Sequence, residues 1–319
     1  MSIARNGKNP FYNKLDFDPG VLKSIIEERT VEYTKKTIFK KANCIFHVDN
    51  NFLYENDDDK FRYKGFATPG SLMMIDGKPK SRKTTLAYMM AAAALNPSGI
   101  YQNILCTMDP NNHIMIFDTE QTPSEFGDKM DLLRKWSQNE NIEATVKSYN
   151  LQKFGHDPEM KIQAINHYVR LLDGSYRRNG IIDPRDQIGY IIIDHMGDLV
   201  NNENNKEEVK DVLGFVGQLA TDTGALVALI IHQNKNNEEA TGMLGGDMGK
   251  KVSSHIKTFK KKSGKEENDE DMDQSNPTEV VFYDNRFGAK KPKRFIFNYD
   301  DYEFPVVLDH KAIHYNFMG

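Results

Sequence analysis

Cysteine is scarce in this sequence: Cys44 and Cys106 are the only two, with no ligand-like spacing to each other or to a histidine. Neither a disulfide framework nor a zinc site is indicated, and reduced thiols in a cytoplasmic protein are the expectation. Long apolar runs are missing too. None approaches the roughly 18 residues of a membrane span, and Met1-Ser2-Ile3-Ala4-Arg5-Asn6-Gly7-Lys8 lacks the apolar stretch of a secretory leader, so no membrane partner is expected. An excess of positive charge is also lacking. Forty-two Lys and Arg stand against 46 Asp and Glu, a formal net charge of -4. That excludes a protein coated in basic surface for nucleic acid and leaves room only for a local basic groove. What is present, 39% hydrophobic and 28% charged residues over 319 positions, is the balance of a folded chain long enough for one large α/β domain with a small appendage.

The first 65 residues are polar and mixed, with one helix candidate over Pro19–Lys36 behind a possible N-cap at Asp18. They are read as an N-terminal appendage, and residues 66–319 as the main domain. There, apolar strand-like runs at Ser71–Ile75, His113–Asp118, Gly189–Asp194 and Ala225–Ile231 alternate with helix patterns at Thr85–Leu95, Ser124–Trp136, Lys161–Leu172 and Glu207–Ala220. Such alternation predicts a mostly parallel central sheet flanked by helices, and the unbroken Ile191-Ile192-Ile193 run predicts a strand covered on both faces. Residues 260–277 turn Lys-rich and then acidic, the composition of a flexible charged loop. Two β-like runs, Glu279–Tyr283 and Arg294–Tyr299, predict a C-terminal β-hairpin.

Chemistry concentrates at Gly77-Lys78-Pro79-Lys80-Ser81-Arg82-Lys83-Thr84, which lies between a strand pattern and a helix pattern. A phosphate loop needs that order: backbone N–H groups at a helix N-terminus hold a phosphate, a Lys neutralises it, and a hydroxyl ligates magnesium. Lys83 and Thr84 match the last two roles, and Gly77 through Thr85 would line the phosphates. Arg82 stands where the usual motif has Gly, a position that needs an unhindered backbone. Read by itself, the segment is also compatible with a basic helix N-terminus after a turn. Asp194 ends the Ile-rich strand, where a carboxylate can bind magnesium, although a strand-ending Asp also suits a plain turn. Glu120 follows another strand, where it could take a proton from an attacking water or stand as an exposed surface acid.

The order of phosphate loop, strand-end Glu120, strand-end Asp194 and strand-end His232-Gln233 resembles the RecA-type ATPase core, in particular its RepA-like and DnaB-like hexameric helicase branch. The resemblance implies a RecA-like P-loop NTPase fold over about Phe66–Val307, with ATP and Mg2+ as ligands. It implies Glu120 as catalytic base, Asp194 and Thr84 at the metal, and Gln233 as γ-phosphate sensor with His232 close behind. Thr241–Lys251 resembles the mobile channel segment that contacts single-stranded DNA, with Lys250 and Lys251 as its cations. Asn285-Arg286-Phe287-Gly288 resembles the turn whose basic residue reaches a neighbouring subunit's nucleotide, so Arg286 is the arginine-finger candidate. Asp284 stands where many members of that branch carry Lys, and the basic run Lys290, Lys291, Lys293 and Arg294 also suits a solvated turn.

The function implied is an ATP-dependent DNA motor of the RepA-like class, acting in plasmid or mobile-element replication or mobilisation. A homo-oligomeric, hexameric ring is implied, with single-stranded DNA and other replication or mobilisation proteins as partners. Two readings compete with it. One is an ATP-binding regulator or loader of DNA-processing proteins that uses nucleotide only to switch conformation. The other is a small-molecule kinase, for which no arginine-rich lid segment is found.

Overall fold

The computed structural model describes residues 44–49, 63–177, 188–234, 240–260, 276–285, 293–300 and 304–308. The expected helix over Pro19–Lys36, the Arg286 turn and most of the charged loop lie outside the described residues. In chain order the elements are β1 (Phe46–Asp49), β2 (Tyr63–Ala67), β3 (Leu72–Gly77), α1 (Lys83–Leu95), β4 (Ile100–Tyr101), β5 (Ile104–Cys106) and β6 (His113–Asp118). Then come α2 (Pro123–Ser137), β7 (Val146–Asn150), α3 (Pro158–Arg177), β8 (Ile188–Asp194), α4 (Lys206–Thr223), β9 (Leu226–His232) and α5 (Gly242–Lys251). Strands β10 (Ser254–Lys260), β11 (Thr278–Asn285), β12 (Lys293–Tyr299) and β13 (Pro305–Leu308) complete the described chain.

The main sheet runs β13-β12-β11-β10-β3-β9-β8-β6-β7. From β10 to β7 every pairing is parallel, and from β10 outward to β13 every pairing is antiparallel. The expected C-terminal hairpin is thus one part of an antiparallel extension of the parallel core. The central strands β3, β6 and β8 are buried at every position, as continuous apolar runs require when both faces are covered. Alternation decides which face each residue serves: Met73, Ile75, Ile114, Ile116, Tyr190, Ile192, Ala228 and Ile230 pack with α1, whereas Met74, Met115, Ile191 and Ile231 pack with α3, α4 and α5.

Helix α1 is buried along almost its whole length, from Leu86 to Leu95. Beyond it a second, antiparallel sheet, β2-β1-β5-β4, contributes Phe46, Val48 and Ile104 to the same apolar cluster. Small Ala side chains in the Ala91–Ala94 run let α1 fit between two sheets. The compact unit reaches back to Asn43, and β1 belongs to its core. The remaining helices start where local chemistry dictates. Thr122 accepts from Glu125 N while the Glu125 carboxylate accepts from Thr122 N, a capping box with Pro123 at the first helical position of α2. Asn205 caps α4, and Gly224, at φ 70°, ends it. No helix among the described residues is long and apolar enough to cross a membrane.

Candidate active site

Gly77, Asp118, Asp194 and His232 are the last residues of β3, β6, β8 and β9, so the C-terminal ends of four parallel strands form one rim. Open α/β sheets bind their ligands at this edge. A Cβ at Gly77 would collide with Ser81 Oγ and Thr258 Oγ1, so this position takes only glycine without a shift. The loop that follows is held by a 2.7 Å hydrogen bond between the Ser81 and Thr258 hydroxyls. No side chain caps the N-terminus of α1 and no acidic residue occupies its first turn, which leaves its N–H groups facing outward for an anion.

Lys83 is buried, and its Nζ donates to Gly77 O at 2.9 Å and to Lys78 O at 3.0 Å, and it lies 3.0 Å from His232 Nδ1. Three protons meet three acceptors, which makes His232 Nδ1 an acceptor and puts that ring's proton on Nε2. Nε2 faces Glu120 Oε1 at 3.6 Å. Burial pulls the Lys83 ammonium down to about 8, against the opposing fields of Asp194, Glu120 and Asp76. His232, ahead of the more distant charges, holds the Glu120 carboxyl well below the usual carboxylate range.

Thr84 Oγ1 donates to Asp194 Oδ2 at 2.5 Å. Burial raises the Asp194 carboxyl and Thr84 offsets part of that rise. Beside it in the sheet register, Asp118 accepts from Glu120 N at 3.1 Å and from Gln121 N at 2.8 Å through Oδ1, while its Oδ2 is buried without a hydrogen-bond partner. Burial pushes the Asp118 carboxyl up to about 7. Hard oxygens from Thr84 and Asp194, with a buried carboxylate oxygen unsatisfied next to them, are a donor set that suits Mg2+ rather than a softer metal.

A second layer holds these groups in place. His195 is buried and its Nε2 accepts from His232 N at 2.8 Å, with the two rings 4.2 Å apart. Burial therefore drives the His195 imidazole down to about 3, and it is neutral at physiological pH. Thr119 Oγ1 accepts from His195 N at 2.8 Å and lies 2.8 Å from Asp198 Oδ2, and buried Lys161 sits 3.6 Å from the same carboxylate oxygen. The backbone just before Glu120 is thereby pinned to the end of β8. Sequence reading missed His195, Asp118 and Lys161; parity along β6 was a usable signal for Asp118, whereas nothing local marks Lys161.

The other expected site residues stand around the loop and the neighbouring strands. Gln233 turns away from the rim: its N donates to Gly77 O at 2.9 Å and its Nε2 to Asp76 Oδ2 at 3.3 Å. His232, by contrast, faces Lys83 and Glu120, because neighbouring strand residues point to opposite faces and His232 shares strand parity with Ala228 and Ile230 on the α1 face. Thr85 faces β12, with its Oγ1 2.7 Å from Tyr299 Oη. Arg82 takes φ 65° at the N-cap of α1 and places its guanidinium 4.5 Å from the Tyr299 ring, with Nη1 donating to Asn298 Oδ1 at 2.9 Å. Pro79 and Lys80 lie exposed on the outer edge of the loop and Lys78 is partly buried.

The segment expected to be a mobile channel loop is helix α5. Leu244 and Met248 are buried against α4 and the sheet, and Gly245 passes so close to Ala240 that a Cβ there would clash. Lys250 and Lys251 fall in its last turn, and Lys250 pairs with Asp247 at 2.7 Å. Arg286 lies outside the described residues.

No protein-family model matches this chain, and no curated protein is similar to it in sequence. Its structure is similar to that of a KaiC-like protein, PH0186, from the hyperthermophilic archaeon Pyrococcus horikoshii OT3, with a TM-score of 0.51 at 11% identity over 76% of this chain and 91% of the other. The two share an α/β fold, which in this chain is a large, mostly parallel sheet with helices on both faces.

Proposed function

We propose that this chain is an ATPase of the RecA-like class that works as a motor on single-stranded DNA. The observation that carries the reading is the convergence of Lys83, the Thr84–Asp194 pair, Glu120 and His232 on one strand-end rim in front of an uncapped helix N-terminus. Lys83 would exchange the Gly77 and Lys78 carbonyls for phosphate oxygens, which needs its charged form. Thr84 and Asp194 would hold Mg2+, which neutralises phosphate charge when bound. Glu120, kept ionised, would take a proton from the attacking water, and His232 would carry the state of the phosphate to the rest of the chain.

Coupling to DNA is supported by a second contact of His232. Its carbonyl accepts from both Thr241 N at 2.9 Å and Thr241 Oγ1 at 2.6 Å, immediately before α5. A shift of His232 would therefore be passed to the helix that ends in Lys250 and Lys251. In this proposal a homo-oligomeric ring supplies Arg286, from the β11–β12 connection, to a neighbour's nucleotide. The order of motifs along the sequence favours the RepA-like branch and a role in plasmid or mobile-element replication.

Phosphate release with ATP and Mg2+, with and without single-stranded DNA, tests the reading. The expected result is turnover that rises with DNA and is lost in Lys83→Ala. Nucleotide binding with no turnover under either condition would sink the motor and favour the regulator or loader.

A further inference from the structure

Resting on that ATPase reading, we infer that Asp118 is a positioning residue with two tasks: one oxygen fixes the Glu120 backbone and the other holds the water shell of the bound Mg2+. Asp118 is 1% exposed. Its Oδ1 receives both N–H groups of the Glu120 turn, at 3.1 Å and 2.8 Å, so that oxygen is satisfied. Its Oδ2 has no hydrogen-bond partner among the described residues. A carboxyl oxygen buried without a partner is costly, and in native structures such an atom marks a place filled by water, an ion or a ligand.

Three observations say where that oxygen points. Asp118 shares strand parity with Ile114 and Ile116, whose side chains lie on the α1 face. It is the register partner of Asp194, which bonds Thr84 on that same face, and neighbouring strands are only about 4.8 Å apart. Tyr88, one turn beyond Thr84 on α1, has a fully buried hydroxyl that is also unpartnered and that feels the charges of both Asp118 and Asp194. Thr84, Tyr88, Asp118 and Asp194 thus converge between α1 and the ends of β6 and β8, and two of them, on different elements, carry unpaired buried oxygens. Lys129 of α2 is the cation whose field reaches both carboxylates from outside.

Mg2+ gives up its hydration shell reluctantly and is commonly held through its waters by second carboxylates. Oδ2 of Asp118 is placed for that task, and because Oδ1 bonds the Glu120 turn, a filled metal site would also fix the catalytic base. The metal and the base would be linked through one side chain.

Asp118→Asn keeps an oxygen for the two N–H groups and removes the charged one; Asp118→Ser does the same with a hydroxyl. The affinity of a fluorescent ADP analogue, measured in EDTA and then in Mg2+, separates phosphate binding from the metal's contribution. In either variant the EDTA affinity is expected to match wild type, while the gain conferred by Mg2+ falls about tenfold, the lower end of the range for second carboxylates. Retention of the full gain overturns the inference and leaves Asp118 as a cap of the Glu120 turn. Failure of both variants to fold overturns it as well, since an uncharged acceptor is held to be sufficient for the fold. If wild type binds no nucleotide at all, it is the ATPase reading that fails.

Discussion

Lys83 Nζ lies 3.0 Å from His232 Nδ1, and the same ring presents Nε2 to Glu120 Oε1 at 3.6 Å. One imidazole therefore stands between the phosphate-loop cation and the carboxylate that would activate water, and any phosphate that draws Lys83 away changes the partner of His232.

That arrangement separates two adjacent residues by experiment. His232→Ala is expected to lower ATP turnover by about 100-fold, the scale of one lost transition-state contact, with nucleotide affinity within about threefold of wild type because Lys83 can still exchange its two carbonyls for phosphate oxygens. Gln233→Ala is expected to act on stability instead, by about 1–2 kcal/mol, since it removes a buried donor from Asp76. Steady-state kinetics and urea denaturation of the two variants check the split.

Arg82 shows how a side chain can occupy a glycine position. The left-handed φ of 65° costs a non-glycine residue roughly 1 kcal/mol. Its hydrogen bond to Asn298 and its stacking over Tyr299 return about 1 kcal/mol and about 0.5–1 kcal/mol. Arg82→Ala keeps the strain and loses these contacts, so it is expected to destabilise by about 2 kcal/mol. Arg82→Gly sheds the strain too and is expected to be about 1 kcal/mol more stable than Arg82→Ala. Chemical denaturation checks the order of the two variants.

The buried ammonium gives the site a pH dependence. With Lys83 lowered to about 8 in the free protein, its proton is present below that pH and lost above it. A bound phosphate favours the charged form, so binding takes up a proton, and affinity is expected to fall by up to about tenfold per pH unit above 8. For folding the sign is opposite: the unfolded chain holds the Lys83 proton more tightly, so this group adds stability as pH rises from about 8 toward its ordinary value. Fluorescent-nucleotide titrations between pH 7 and 9.5 read the first effect.

Much of this architecture was legible in the sequence because buried parallel strands leave long apolar runs. β6, β8 and β9 and their helices fall where periodicity put them, and Glu120 and Asp194 stand at predicted strand ends. The small sheet was not legible: Phe46–Asp49, Ile100–Tyr101 and Ile104–Cys106 are short, and they are strands because they cover α1, a tertiary reason. Helix α5 was not legible as a helix, because Thr241–Lys251 resembles a mobile channel segment and its glycines suit a loop, yet Gly245 serves close packing against Ala240. That His232 and Gln233 face opposite sides of β9 follows from strand parity, which was present in the sequence.

The most direct test of the account is Glu120→Gln, measured for ATP affinity and for ATP turnover in the same preparation. A base acting only in the chemical step predicts affinity within about threefold of wild type and turnover reduced by about 100-fold or more. Turnover equal to that of wild type would contradict the assignment of the rim as a hydrolytic site.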